Sequence, residues 1–302
     1  MVAKRWIVLA SALLALSGSN GIAQAQNLLG DESPAGAPKI RRDVVYGHKD
    51  GLALTMDVFH PSGPKNDAAI IYMVSGGWYS RWSPPEELMG FFGPYLQKGY
   101  TMVAVRHGSS PRYGIPDAVS DVRRAIRYLR VHADDLGFDP DRMGAMGMSA
   151  GGHLSLVLAT TGDDGQSNAK DRVLQASSRV TAVAAMVPPT DLTVCVWGAE
   201  ESLPSYRGFP ALDLAVEEAA KFSPKLHVTK DDAPALVISG TLDDLVPARH
   251  GEWIAEEYKK VGVEHRLLLL EADHGLTGKQ TEALKAVADW FDEQLKPSPT
   301  QQ

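Results

Sequence analysis

Cysteine is almost missing from this 302-residue chain: Cys195 is the only one, so no intrachain disulfide can form and a cysteine-based metal site is excluded. Stability then has to come from a packed core, which a 44% hydrophobic composition can supply. The nine histidines show no H-E-x-x-H or similar close spacing, so no metal centre is expected and no cofactor is implied. Positive charge is also scarce, with 30 Lys and Arg against 37 Asp and Glu and a net charge of -7. No basic cluster stands out, which argues against a nucleic-acid partner and favours a neutral or weakly charged substrate. Long apolar runs are absent as well. The stretch from Trp6 to Leu16 is well short of the roughly twenty residues a bilayer span needs.

That short run has a different meaning. Lys4 and Arg5 precede it, polar Ser17 to Asn20 follow it, and Ala23-Gln24-Ala25 supplies an A-x-A cleavage site before Gln26. Residues 1–25 are therefore expected to be a cleaved secretory signal. The mature chain would be secreted or periplasmic, with no membrane anchor left after cleavage. Without Lys4 and Arg5 the 30 basic residues become 28, against 37 acidic ones, and the net charge moves from -7 to -9.

Residues 26–39 read as a polar lead, 40–296 as a single domain and 297–302 as a tail. The domain starts with two strands around Asp50-Gly51, a hairpin signal. Apolar strand, turn and amphipathic helix then repeat. Strands are predicted at 68–75, 100–106, 142–148, 180–187, 235–240 and 265–270, with a helix from Asp117 to about Leu136 whose Arg123, Arg124, Arg127 and Arg130 read as a solvated face. The pattern gives the α/β class: a mixed, mostly parallel sheet with helices on both faces. Residues 191–232 interrupt the alternation with tryptophan, proline and charge and one short helical stretch, "LDLAVEEAAKF"; a long connection at this place is expected to be a lid-like insertion.

Within "MGAMGMSAGGHLSL" (143–156), Ser149 stands at a predicted strand-to-helix junction, where Gly147 and Gly151 permit a sharp turn. A serine hydroxyl is a poor nucleophile without a base. His274 in "LLLLEADHGLTG" and Asp243 in "VISGTLDDLVP" each follow a predicted strand, and the chain order Ser, Asp, His suits this architecture. Asp244 is the alternative acid, although Asp243 stands in a D-x-x-V-P spacing. His153, one turn into the helix after Ser149, is poorly placed to reach back and reads as a packed or capping residue.

The stretches "SGGWYS", "DAVSDVRRAIRYLRVHADDLGFDPDRMGAMGMSAGGHLSL", "GTLDDLVP" and "DHG" together resemble the α/β-hydrolase superfamily, in particular its acetyl-esterase, carbohydrate-esterase and hormone-sensitive-lipase-like branches. That resemblance implies the α/β-hydrolase fold with Ser149, Asp243 and His274 as its triad. It also implies an oxyanion hole from the backbone amides of Gly76, Gly77 and Ala150. One departure stands out: such relatives commonly carry H-G-G-G-W after the strand, where this chain has Val74 and Ser75 in "VSGGW".

The expected activity is hydrolysis of carboxylic esters through an acyl-enzyme, on short-acyl or carbohydrate-linked esters of small molecules or polysaccharides, with no cofactor. A peptidase of the same superfamily and a non-catalytic binding protein on a hydrolase fold are the alternatives. Trp78 and Tyr79 after the glycines, and Trp197 in the insertion, are the expected substrate contacts, with Tyr206 and Phe209 lying in the same insertion. Cys195 is expected to be a small packing residue.

Overall fold

The computed structural model describes residues 38–297, so the expected signal, most of the polar lead and all but the first residue of the tail lie outside the described residues. Strands β1 (Lys39–Lys49) and β2 (Leu52–His60) form the hairpin. Its two turn residues, Asp50 and Gly51, have φ of 49° and 79°, the paired left-handed geometry that matches strand twist in a two-residue hairpin. There follow β3 (Ala69–Val74), α1 (Met89–Gln97), β4 (Thr101–Arg106), α2 (Ile115–Val131), α3 (Ala133–Leu136), β5 (Met143–Met148) and α4 (Ala150–Thr161). The chain continues through α5 (Arg172–Gln175), β6 (Ala182–Met186), α6 (Val216–Ala220), β7 (Ala235–Gly240), α7 (Arg249–Val261), β8 (His265–Leu270) and α8 (Gln280–Gln294).

The eight strands of the described residues join one sheet in the order β1-β2-β4-β3-β5-β6-β7-β8. The β1–β2 and β2–β4 pairs are antiparallel and every later pair is parallel. Central strands β4, β6 and β7 are buried along their whole length, as continuous apolar runs covered on both faces must be. The sheet divides the interior into two cores. Ile126 of α2, Leu154 of α4 and Tyr258 of α7 pack one face; Phe92 of α1 and Trp290 and Phe291 of α8 pack the other. This is the mixed, mostly parallel sheet with helices on both faces that the sequence implied.

Two expectations change. The helix expected to run to Leu136 breaks at His132, and its arginines are not a solvated face. Arg127 is buried and pairs with Asp163, Arg124 pairs with Asp171 at 2.7 Å, and Arg123 donates to Thr161. Residues 161–180 fold back over α2 and bring these acceptors with them, which turns a cationic stripe into a partly buried seam of ion pairs and hydrogen bonds. In the 191–232 insertion the helix shortens to α6. The remainder is irregular chain with short 3-10 turns, three of which, Pro204–Gly208, Pro210–Leu212 and Pro224–His227, begin at proline, where a missing amide costs nothing.

Candidate active site

Parallel strands deliver their carboxyl ends to one edge, and each expected site residue leaves the sheet there. Ser149 lies between β5 and α4, Asp243 just beyond β7, His274 just beyond β8, and Gly76 and Gly77 just beyond β3.

Ser149 has φ 54° and ψ -121°, a conformation that a side chain makes costly. Close packing holds it there. A Cβ on Gly147 would lie 2.3 Å from the Gly151 carbonyl carbon, and one on Gly151 would lie 2.7 Å from Met73 O. Helix α4 can therefore start directly on the sheet, and the Ser149 amide bonds Met186 O at 2.8 Å.

The hydroxyl thus raised at the strand end meets His274, with Nε2 3.0 Å from Ser149 Oγ. His274 Nδ1 is 2.7 Å from Oδ2 of Asp243. Asp243 is buried, and its Oδ1 accepts from the amides of Leu245 at 2.9 Å and Val246 at 2.8 Å. Those donors orient the carboxylate, and it in turn places the proton of a neutral imidazole on Nδ1 and leaves the Nε2 lone pair facing the serine. Asp244 is exposed, so the structure places Asp243 and not its neighbour against the histidine.

Next to the serine, Gly76 and Tyr79 exchange both backbone hydrogen bonds at 3.0 Å around Gly77 (φ 57°) and Trp78 (φ 60°). The Gly76 amide closes this turn, which removes it from the three expected oxyanion donors. Gly77 and Ala150 remain. Ala150 opens α4 and so has no preceding helical carbonyl to bond. Gly77 has to be glycine twice over, because a Cβ would also lie 2.5 Å from Phe209 Cδ1.

His153 is buried and joins three parts of the site. It accepts from the Trp78 indole N–H at Nδ1 (3.3 Å), donates from Nε2 to Phe222 O (2.7 Å), and stands on α4. Burial pushes its pKa down to about 4, so it remains a neutral connector.

A small cavity opens at Ser149, with Gly77 and Trp78 on one side and Cys195, Tyr206, Phe209 and Leu212 of the insertion on the other. Its free space is about 20 Å³, room for little more than a water-sized group. Of Trp78, Tyr79 and Trp197 only Trp78 lines it, together with Tyr206 and Phe209 of the insertion. Trp197 is turned away; its indole donates to Tyr206 O at 2.9 Å and its ring lies under Arg207. Tyr79 stands outside the cavity beside Arg81. Pro189, Leu245 and Val246 complete the wall; none was singled out in the sequence, although the V-P after Asp243 marks the tight loop that carries the last two. Cys195 donates to Asp191 O at 3.2 Å, and burial pushes its thiol up to about 12, so it forms part of the wall as an uncharged group. Among the described residues no group of three His, Cys, Asp or Glu side chains is arranged to hold a metal ion.

The family model named BD-FAE matches residues 56–258. The probable carboxylic ester hydrolase LipM of Mycobacterium tuberculosis is 26% identical over 232 residues, covering 72% of this chain and 52% of that protein. This chain spans about half the length of the curated relatives it matches. A truncated carbohydrate esterase from gut microbiota superposes with a TM-score of 0.73 at 23% identity over 88% of this chain and 99% of that one. An esterase of the planctomycete Thermogutta terrifontis gives 0.68 at 25% identity over 90% and 96%. The fold is that of the α/β-hydrolase esterases.

Proposed function

From the premise that this chain belongs to the BD-FAE family, we propose that it is a serine hydrolase of carboxylic esters. The observation that carries this reading is the pre-aligned line Ser149 Oγ, His274 Nε2, His274 Nδ1, Asp243 Oδ2, held at 3.0 and 2.7 Å on a strained strand-to-helix turn. A non-catalytic binding protein would have no need to hold that strain.

In this mechanism Ser149 Oγ attacks the ester carbonyl carbon while His274 Nε2 takes the hydroxyl proton. The carbonyl oxygen becomes an oxyanion and accepts from the amides of Gly77 and Ala150, with the amino end of α4 adding its positive dipole. Asp243 stabilises the imidazolium. The C–O bond to the alcohol then breaks, and His274 returns the proton to the departing oxygen. Water repeats the sequence on the acyl-enzyme, with His274 as its base, and releases the acid.

The narrow space beside Ser149 supports a short acyl group, and likeness to a carbohydrate esterase supports a sugar as the alcohol. The A-x-A segment at 23–25 supports action outside the cytoplasm.

A fluorophosphonate probe and a series of p-nitrophenyl esters test the reading. Stoichiometric labelling at Ser149, with acetate turned over faster than hexanoate, is the expected result. A folded protein that neither labels nor hydrolyses any ester would refute it.

A further inference from the structure

We propose that His107 is a positioning residue, which holds the turn carrying the Gly77 amide by accepting a hydrogen bond from Ser75. The proposal rests on the ester-hydrolase reading above and extends it to the question raised by Val74 and Ser75.

The sheet register explains how the pair meets. Strands β3 and β4 are parallel neighbours with Val74 opposite Arg106, so the residues after them, Ser75 and His107, leave the sheet side by side. His107 Nε2 lies 2.9 Å from Ser75 Oγ, and His107 Nδ1 lies 2.8 Å from Gly108 O. A carbonyl oxygen can only accept, so the imidazole proton sits on Nδ1. Nε2 is then the acceptor and the Ser75 hydroxyl the donor. His107 is 4% exposed, and burial lowers its pKa from the ordinary histidine value, which keeps that acceptor available.

The imidazole is itself anchored. The Gly108 amide donates to Asp121 Oδ2 at 2.9 Å, and Lys49 pairs with the other oxygen of Asp121 at 2.7 Å. The rest of the turn is fixed from the same loop: Ser80 Oγ donates to Val74 O at 2.6 Å and accepts from the His107 amide at 3.1 Å, while the Ser110 amide donates to Trp78 O at 3.1 Å. At its far end His153 holds Trp78. At the near end Ser80 holds the Val74 carbonyl, and the Ser75 hydroxyl ties the residue directly before Gly76 to the His107 ring.

Losing an oxyanion donor altogether lowers kcat by about 10²–10³-fold, so loosening one by a fraction of an ångström is expected to cost about tenfold. Ser75→Ala removes only the hydroxyl and leaves the backbone ties of the turn in place. It should lower kcat about tenfold with KM within about twofold, and weaken a trifluoromethyl ketone inhibitor by the same factor. His107→Leu should behave alike, and combining the two should add nothing. His107→Gln, which keeps an acceptor, should recover most of the rate. Full kcat in folded Ser75→Ala, a loss confined to KM, or additive losses in the double variant would each overturn the proposal. Wild-type protein inactive on every ester would instead strike the function it rests on.

Discussion

The two walls of the cleft are built by different means. On the oxyanion side, residues 75–80 form a tight turn fixed by hydrogen bonds to its own backbone, to 107–110 and to His153. On the other side, the 191–232 insertion faces the cavity with the side chains of Cys195, Tyr206, Phe209 and Leu212, and meets the turn by contact of the Phe209 ring with Gly77. Hydrogen bonds are directional and fix positions to tenths of an ångström; apolar contact fixes shape and tolerates exchange. On the proposed function, the first wall would carry the chemistry and the second the selectivity.

The largest effect should come from the group both walls serve. Ser149→Ala is expected to lower kcat by about 10⁴-fold or more with the fold intact, because a triad acts as a unit. Residual activity of a tenth of wild type, measured on p-nitrophenyl acetate, would remove the serine from the mechanism.

His153 tests the join between the walls. Burial pushes the pKa of both His153 and His250 down from 6.5 to about 4. The unfolded chain therefore binds more protons between those values, and the stability tied to these two groups is fully present above pH 6.5 and is lost as the pH drops towards 4. Each imidazole should cost on the order of 3 kcal/mol at the acid end. Urea midpoints from pH 7 to 4 should show this decline, and His153→Asn should make it shallower. An unchanged slope would mean that His153 is not the neutral connector described.

Phe209→Ala sharpens the comparison on the insertion side. Opening the space over Gly77 should raise kcat/KM for butyrate relative to acetate by on the order of tenfold. Equal losses on both esters would show the ring to be supporting the oxyanion turn and not limiting the acyl group. The smallest effect is expected from Cys195→Ala, whose thiol stays protonated in the wall. Turnover should stay within about twofold of wild type, and iodoacetamide should not inactivate the native protein.

How far the site could be read in the sequence follows the same division. Ser149, His274 and Asp243 were legible because strand ends, a glycine-flanked turn and chain order are local signals, and the sheet needs only to be parallel for them to converge. Asp243 separated from Asp244 only when burial and the two loop amides were visible. The role of Gly76 was misread because turn type, which no residue name states, decides which amide closes the turn. The arginines of α2 looked solvated because their acceptors, Asp163 and Asp171, stand 36 and 47 residues further on. Trp197 looked like a substrate contact for a similar reason: the acceptor of its indole, Tyr206 O, stands nine residues further on. Ser75 and His107 meet through register between two strands that are neighbours in the sheet but 32 residues apart in sequence.

Ser149 occupies a backbone conformation that glycine adopts freely, and holding a side chain there costs on the order of 1–3 kcal/mol. Replacing Ser149 with glycine is therefore expected to make the chain more durable and, on the proposed mechanism, inert. A lineage no longer selected for turnover would drift downhill into a thermostable, silent copy of itself.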